Sequence, residues 1–151
     1  MPKQIIPAIA DVKAEKPYVA RVTWDNGITA FIDLTDWLNK SRWFAPVLEN
    51  PAVWSTIRPG GWGGYIEWEG CEMEVPSSTL WRLHLEQAGE AMRREEFEAW
   101  MQRHKLSLTR ASETLGLSRR MVTYYKTGEK IIPRTVMLAC KAVDYEPELR
   151  A

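Results

Sequence analysis

Apolar and polar positions follow two different rhythms along this chain. Tyr18-Val19-Ala20-Arg21-Val22-Thr23-Trp24 is a strand-like run, and Asp25-Asn26-Gly27 behind it carries the Asn-Gly pair of a tight hairpin. The return strand covers residues 28–34, with Ile28, Ala30, Ile32 and Leu34 on one face and Thr29 and Asp33 on the other. Thr35-Asp36 suits the start of a short helical turn through Trp37-Leu38, and residues 53–57 fit either a third strand or a short helix. Residues 60–64, Gly-Gly-Trp-Gly-Gly, form a loop. A strand at 65–68, a turn at Glu69-Gly70 and a last strand at 71–75 follow. This half predicts a small antiparallel sheet of four or five strands, with limited helix.

Beyond Pro76 the period becomes helical. Ser77-Ser78-Thr79 offers an N-cap for a helix through Leu80 to Leu83 that can run on past Gly89. Phe97, Trp100 and Met101 mark one apolar helix face by their i, i+3, i+4 spacing. Few glycines, prolines or serines gather in residues 86–93, which predicts a helical connector there rather than a loose linker. The chain accordingly reads as an α+β protein: an antiparallel β-domain over 1–85, the connector, and an all-α domain over 94–151.

Charge sharpens that division. The whole chain is neutral, with 20 Lys+Arg against 20 Asp+Glu, which excludes a basic coat or an acidic tail. Residues 1–80 nevertheless hold seven basic and ten acidic side chains, whereas residues 91–151 hold twelve and eight. Between His104 and Arg134, seven basic residues face only Glu113 and Glu129. Such asymmetry suggests separate tasks for the two halves. No apolar run approaches the roughly 18–20 residues that span a bilayer. Two cysteines, Cys71 and Cys140, are too few for a disulfide scaffold and read as free thiols of a reducing cytosol. The expected location is cytoplasmic.

The most informative segment begins at Ser107, an N-cap for a helix over 108–115 that Gly116 ends. Ser118 caps a second helix over 119–126, with Val122 and Tyr125 on its apolar side, and Gly128 stops it. Pro133 suits the first turn of a third helix, along which Val136, Ala139, Cys140 and Val143 recur at i, i+3, i+4, i+7. Two short helices around a glycine turn, the second rich in cations, outline a helix-turn-helix.

The run from Leu115-Gly116-Leu117-Ser118 through Tyr124-Tyr125-Lys126-Thr127-Gly128 to Pro133-Arg134-Thr135-Val136 resembles the phage-repressor (Xre/Cro-like) helix-turn-helix family over residues 94–145. That resemblance implies a lambda-repressor-like DNA-binding domain whose second helix enters the major groove. It places Arg119, Arg120 and Tyr124 at base edges and Ser118, Thr123, Lys126, Thr127 and Lys130 at phosphates. Two positions depart from the family: Leu108 stands where a DNA-contacting Gln is usual, and Lys126 where Glu is usual. The segments Val22 to Gly27 and Ile66 to Gly70 resemble a small bacterial domain family of unknown function, some of whose members lie near toxin–antitoxin-like genes.

Function then reads as sequence-specific double-stranded DNA binding by a transcriptional regulator, working as a homodimer on two half-sites. The alternative is an antitoxin-like protein whose β-domain binds a partner protein while the helical domain autoregulates. Seven of the eight tryptophans fall between Trp24 and Trp81, and most suit a small aromatic core. Trp62, with two glycines on each side, is the exception and reads as a contact to a partner or to the other subunit on a mobile loop. The glycine loop lacks the Gly-Lys-Ser/Thr of a phosphate cradle. His84 and His104 have no cysteine at metal-ligand spacing, and Glu67, Glu69, Glu72 and Glu74 read as a solvated sheet face. No catalytic residue, metal or cofactor is expected.

Overall fold

A computed structural model describes residues 5–151. The chain divides into two compact units, Met1–His84 and Leu85–Ala151. Together they are mixed α+β, with small antiparallel sheets and eight α-helices among the described residues.

In the first unit, β1 (Ile9–Ala14), β2 (Val19–Trp24) and β3 (Thr29–Asp33) form an antiparallel sheet in chain order. The β2–β3 turn closes as the sequence suggests. Gly27 adopts φ 87°, its amide donates to the Trp24 carbonyl, and the Asn26 side chain accepts from the Ile28 amide. With only Gly27 left-handed, the connection is a three-residue loop rather than a two-residue one. Ala30, Ile32 and Leu34 are buried as the alternation requires, whereas Ile28 at the turn is exposed.

Three short helices follow: α1 (Thr35–Asn39), α2 (Ala45–Glu49) and α3 (Pro51–Trp54). Residues 53–57 thus begin in a helix, which Asn50 starts by accepting from the Ala52 amide, with Pro51 in its first turn. A second antiparallel sheet contains β4 (Arg58–Gly60), β5 (Tyr65–Trp68) and β6 (Cys71–Pro76) in that order. The unit therefore holds two three-stranded sheets in place of one sheet of four or five strands. Apolar side chains of both sheets enter one core that includes Trp24, Trp54 and Trp68. Edge-on ring contacts tie it together, among them Tyr18 with Trp54 and Trp24 with Trp81, with centroids 5.3 Å and 5.2 Å apart.

The helix predicted after Pro76 is α4 (Ser77–Gln87), within which the unit boundary falls. It does not run past Gly89. That glycine takes φ 75°, the Glu90 amide closes back on the Leu85 carbonyl, and the Gly89 carbonyl accepts from Arg134 at 2.9 Å. Residues 86–93 consequently are not a continuous helical connector. They contain the end of α4, this turn and β7 (Ala91–Met92).

The second unit is also not wholly helical, because β7 pairs antiparallel with β8 (Ile132–Pro133). Its helices are α5 (Arg94–Arg103), α6 (Leu108–Leu115), α7 (Arg119–Thr127) and α8 (Arg134–Tyr145). Pro133 ends β8 and caps α8 instead of occupying its first turn. Phe97, Trp100 and Met101 all face the core, where Trp100 packs against Phe97 at 5.8 Å. The Trp100 indole N–H donates to the Cys140 carbonyl at 3.0 Å, which joins α5 to α8.

A polar cluster holds the same two helices at the rim. Asp144 accepts from Nε and Nη2 of Arg103 and lies 2.6 Å from His104 Nε2. Burial works to raise the Asp144 pKa, but hydrogen bonds and charges from His104 and Arg103 outweigh it and hold the carboxyl below its ordinary value. Burial first, and Asp144 second, push the Cys140 thiol up to about 12, which leaves it an inert core residue.

Candidate nucleic-acid interface

The local geometry of α6 and α7 follows from four capping residues. Ser107 accepts from the Arg110 amide at 3.2 Å, and Ser118 accepts from the Met121 amide at 3.0 Å. Gly116 and Gly128 take φ 68° and 83° just past the two helices, where a side chain would be strained. Between the helices, the Leu117 amide donates to the Ser112 carbonyl and the Leu117 side chain rests on the core. A turn fixed at both ends sets the direction in which α7 leaves α6.

Helix α7 separates its chemistry cleanly. Met121, Val122 and Tyr125 are buried, whereas Arg119, Arg120, Lys126 and Thr127 are exposed. Thr123 and Tyr124 are half-buried beside that exposed face. Among the described residues, Arg119, Arg120, Lys126 and Lys130 enter no ion pair.

The Arg120 and Lys130 cations converge on Tyr124. Arg120 Nε donates to the Tyr124 hydroxyl, the Arg120 guanidinium carbon lies 5.4 Å from the ring centre, and Lys130 Nζ lies 5.0 Å from it. The Lys130 amide also donates to the Tyr124 carbonyl at 3.4 Å, so the turn at Gly128 folds Lys130 back onto the helix. Each such cation–ring contact contributes about 0.5–1 kcal/mol at an exposed site. The result is a preset group of one phenol and two cations. The spacing of Arg120 and Tyr124 by four residues was a readable sign of it; the return of Lys130 depends on the left-handed glycine.

The hydroxyls are less free. Thr123 donates to the Arg119 carbonyl at 3.0 Å and Thr127 to the Tyr124 carbonyl at 3.3 Å. Each threonine must rotate before its O–H can reach a phosphate. Ser118 uses its oxygen as the helix cap and retains its hydrogen for an outside acceptor. Leu108 is half-buried against the core, so no polar group stands at that position.

Trp62 lies in the first unit and is fully exposed. Its loop is a 3-10 turn, Gly61–Gly63, pinned at several points. Gly63 lies against the Ile9 backbone, Gly60 lies under the Tyr65 ring, and the Gly64 carbonyl accepts from the Ser77 amide at 2.8 Å. The glycines thus form a 3-10 turn in contact with its neighbours, with Trp62 outward at φ 57°.

The remaining polar groups have ordinary surroundings. Glu67 and Glu69 both reach Arg58, at 3.0 Å and 3.4 Å, and Glu72 and Glu74 are exposed on β6. His84 packs on Trp81, and burial lowers its pKa. Among the described residues, no group of three or more His, Cys, Asp or Glu is placed to hold a metal, and no helix is long and apolar enough to cross a membrane.

Fold and surface together define an α+β protein in two units, the second presenting a capped, cation-faced helix. Similarity to a solved structure places it further. The chain is 40% identical to the "Putative DNA Binding Protein NE0471" from Nitrosomonas europaea ATCC 19718, over 95% of this chain and 90% of that one, with a TM-score of 0.57. It belongs to the family of that protein. No protein-family model and no curated protein matches it.

Proposed function

We propose that this protein reads double-stranded DNA sequence-specifically through α7 and regulates transcription in the cytoplasm. In this reading α6 and α7 form a helix-turn-helix of the phage-repressor type. The observation that carries it is the α7 surface: a helix capped at both ends, with four cations on it or just beyond it that form no ion pair among the described residues. The DNA-binding description of the Nitrosomonas relative supports the same reading. Arg119, Arg120 and Tyr124 are the base readers. Ser118, Thr123, Lys126, Thr127 and Lys130 set the register on phosphates. One such module covers a single half-site, so the working form is a homodimer.

Arg119→Ala is expected to cost roughly 1–3 kcal/mol on the preferred duplex and to relax sequence preference. Lys130→Ala is expected to weaken all duplexes alike and lower the salt slope by about 1. Titrations of a selected and a scrambled duplex at several salt concentrations separate the two effects. Equal affinity of Arg119→Ala and wild type for both duplexes contradicts the assignment.

A second reading is favoured by Trp62, which the pinned turn holds fully exposed. Here the first unit binds a partner protein through that indole, and the helical unit autoregulates the pair as an antitoxin does. Trp62→Ala is then expected to lose a co-purifying protein that wild type retains. An unchanged set of bound proteins rejects this reading.

A further inference from the structure

We propose that β3 is a docking edge for a second copy of this chain, with the two β3 strands paired antiparallel about a two-fold axis at Phe31. The phase of the sheet identifies the edge. The Leu34 amide bonds the Tyr18 carbonyl at 2.9 Å and the Trp24 amide bonds the Ile28 carbonyl at 2.8 Å, one pair at each end of the β2–β3 ladder. Antiparallel ladders alternate, so the even-numbered residues of β3 bond to β2. The backbone amides and carbonyls of Thr29 and Phe31 turn to the outer side, where β3 ends the sheet order.

Open strand edges recruit other strands, and proteins blunt them with charges, prolines or bulges. The other outer strands of this unit are blunted. Strand β1 has a register shift between Ile9 and Asp11 and exposes Asp11 and Lys13. Strand β4 consists of Arg58, Pro59 and Gly60, and β6 exposes Glu72 and Glu74 before ending in Pro76. By contrast, β3 reads Thr-Ala-Phe-Ile-Asp, with no proline or bulge and its one charge, Asp33, at the strand end. At its centre Phe31 is 63% exposed.

The strand's own symmetry selects the occupant. Antiparallel self-pairing centred on Phe31 sets Phe31 against Phe31 and Thr29 of each copy against Asp33 of the other. Facing aromatic rings are favourable cross-strand neighbours, and no like charges meet directly. The contact is isologous and closes after two copies, so the two three-stranded sheets become one of six strands rather than a fibre. This supplies the interface of the homodimer proposed above and rests on that reading only for the dimer itself; the edge is argued from the sheet.

Sedimentation velocity of the full-length protein without DNA, from about 1 to about 100 µM, tests it. Wild type is expected at dimer mass. F31K is expected at monomer mass, its dissociation constant raised by at least about tenfold, and still folded by circular dichroism because residue 31 is exposed in the single chain. A crosslink gives the position even where F31K fails to fold. F31C in a C71S background is expected to oxidise to a covalent dimer, since facing residues of a hydrogen-bonded antiparallel pair lie about 5.5 Å apart at Cα, within disulfide reach. D11C on the opposite edge is expected to remain monomeric on reducing-agent-free gels. A wild-type monomer throughout, a dimeric F31K or an uncrosslinked F31C overturns the proposal. No DNA is present, so each of these results leaves the DNA reading to its own test.

Discussion

Trp100→Ala is expected to lower the stability of the helical unit by about 3–5 kcal/mol. The indole is fully buried on α5, packs face to face with Phe97, and spans to α8 through its bond to the Cys140 carbonyl. Truncation removes that apolar area, opens a cavity among residues that cannot all collapse, and leaves the Cys140 carbonyl to find another donor. Because α8 and α7 both pack into this core, α7 loses its foundation as well. Urea titration followed by helical circular dichroism reads the change. Trp100→Phe keeps most of the volume but not the N–H, and is expected to fall between wild type and alanine. A Trp100→Ala transition within about 1 kcal/mol of wild type contradicts this account of the core.

The second large effect belongs to Gly63. A Cβ there falls 2.3 Å from the Ile9 carbonyl oxygen and 2.9 Å from the Ile9 nitrogen, and the residue sits at φ 72°. Both obstacles are backbone of β1, so neither can swing away as a side chain does. Gly63→Ala combines left-handed strain of about 1–2 kcal/mol with overpacking of about 1–3 kcal/mol. A total loss of roughly 2–5 kcal/mol is expected in the first unit. Gly27 is the matched control: its φ is 87°, but nothing lies within 4 Å of an added Cβ, so only the strain is expected there. Chemical denaturation of the two variants side by side decides it. Equal losses would mean that Gly63 is not held against β1 and that Trp62 is not fixed outward by the turn.

These residues also show how far the sequence could be read. The capped helices were legible because serine caps, terminal glycines and apolar spacing all agree from Ser107 to Val143. The β2–β3 hairpin was legible through its Asn-Gly turn and clean alternation. Strand β1 was not, because its bulge between Ile9 and Asp11 puts the buried Ile9 and Val12 three residues apart and destroys the period of two. Helices α2 and α3 have five and four residues, too short for a helical period to appear. The two-residue strands β7 and β8 exist only through their pairing across about forty residues of chain. The glycines of residues 60–64 suggested looseness, yet two of them serve close approach, to Tyr65 and to Ile9.

On the candidate interface, the cations of α7 were evident from charge and helical phase. Their organisation was not. The convergence of Arg120 and Lys130 on Tyr124 requires both the helix pitch and the reversal at Gly128. The engagement of Thr123 and Thr127 with the helix backbone likewise appears only once side-chain rotamers are in place.

The central claim is that α7 reads DNA, and selection from a randomised duplex library by the full-length protein tests it most directly. After several rounds, the account predicts an enriched palindrome whose half-sites lie about one helical turn apart. It also predicts that Arg119→Ala loses preference within each half-site while Lys130→Ala keeps it. A folded sample that enriches no sequence at low salt, or enriches the same sequence with Arg119 and Arg120 both replaced by alanine, contradicts it.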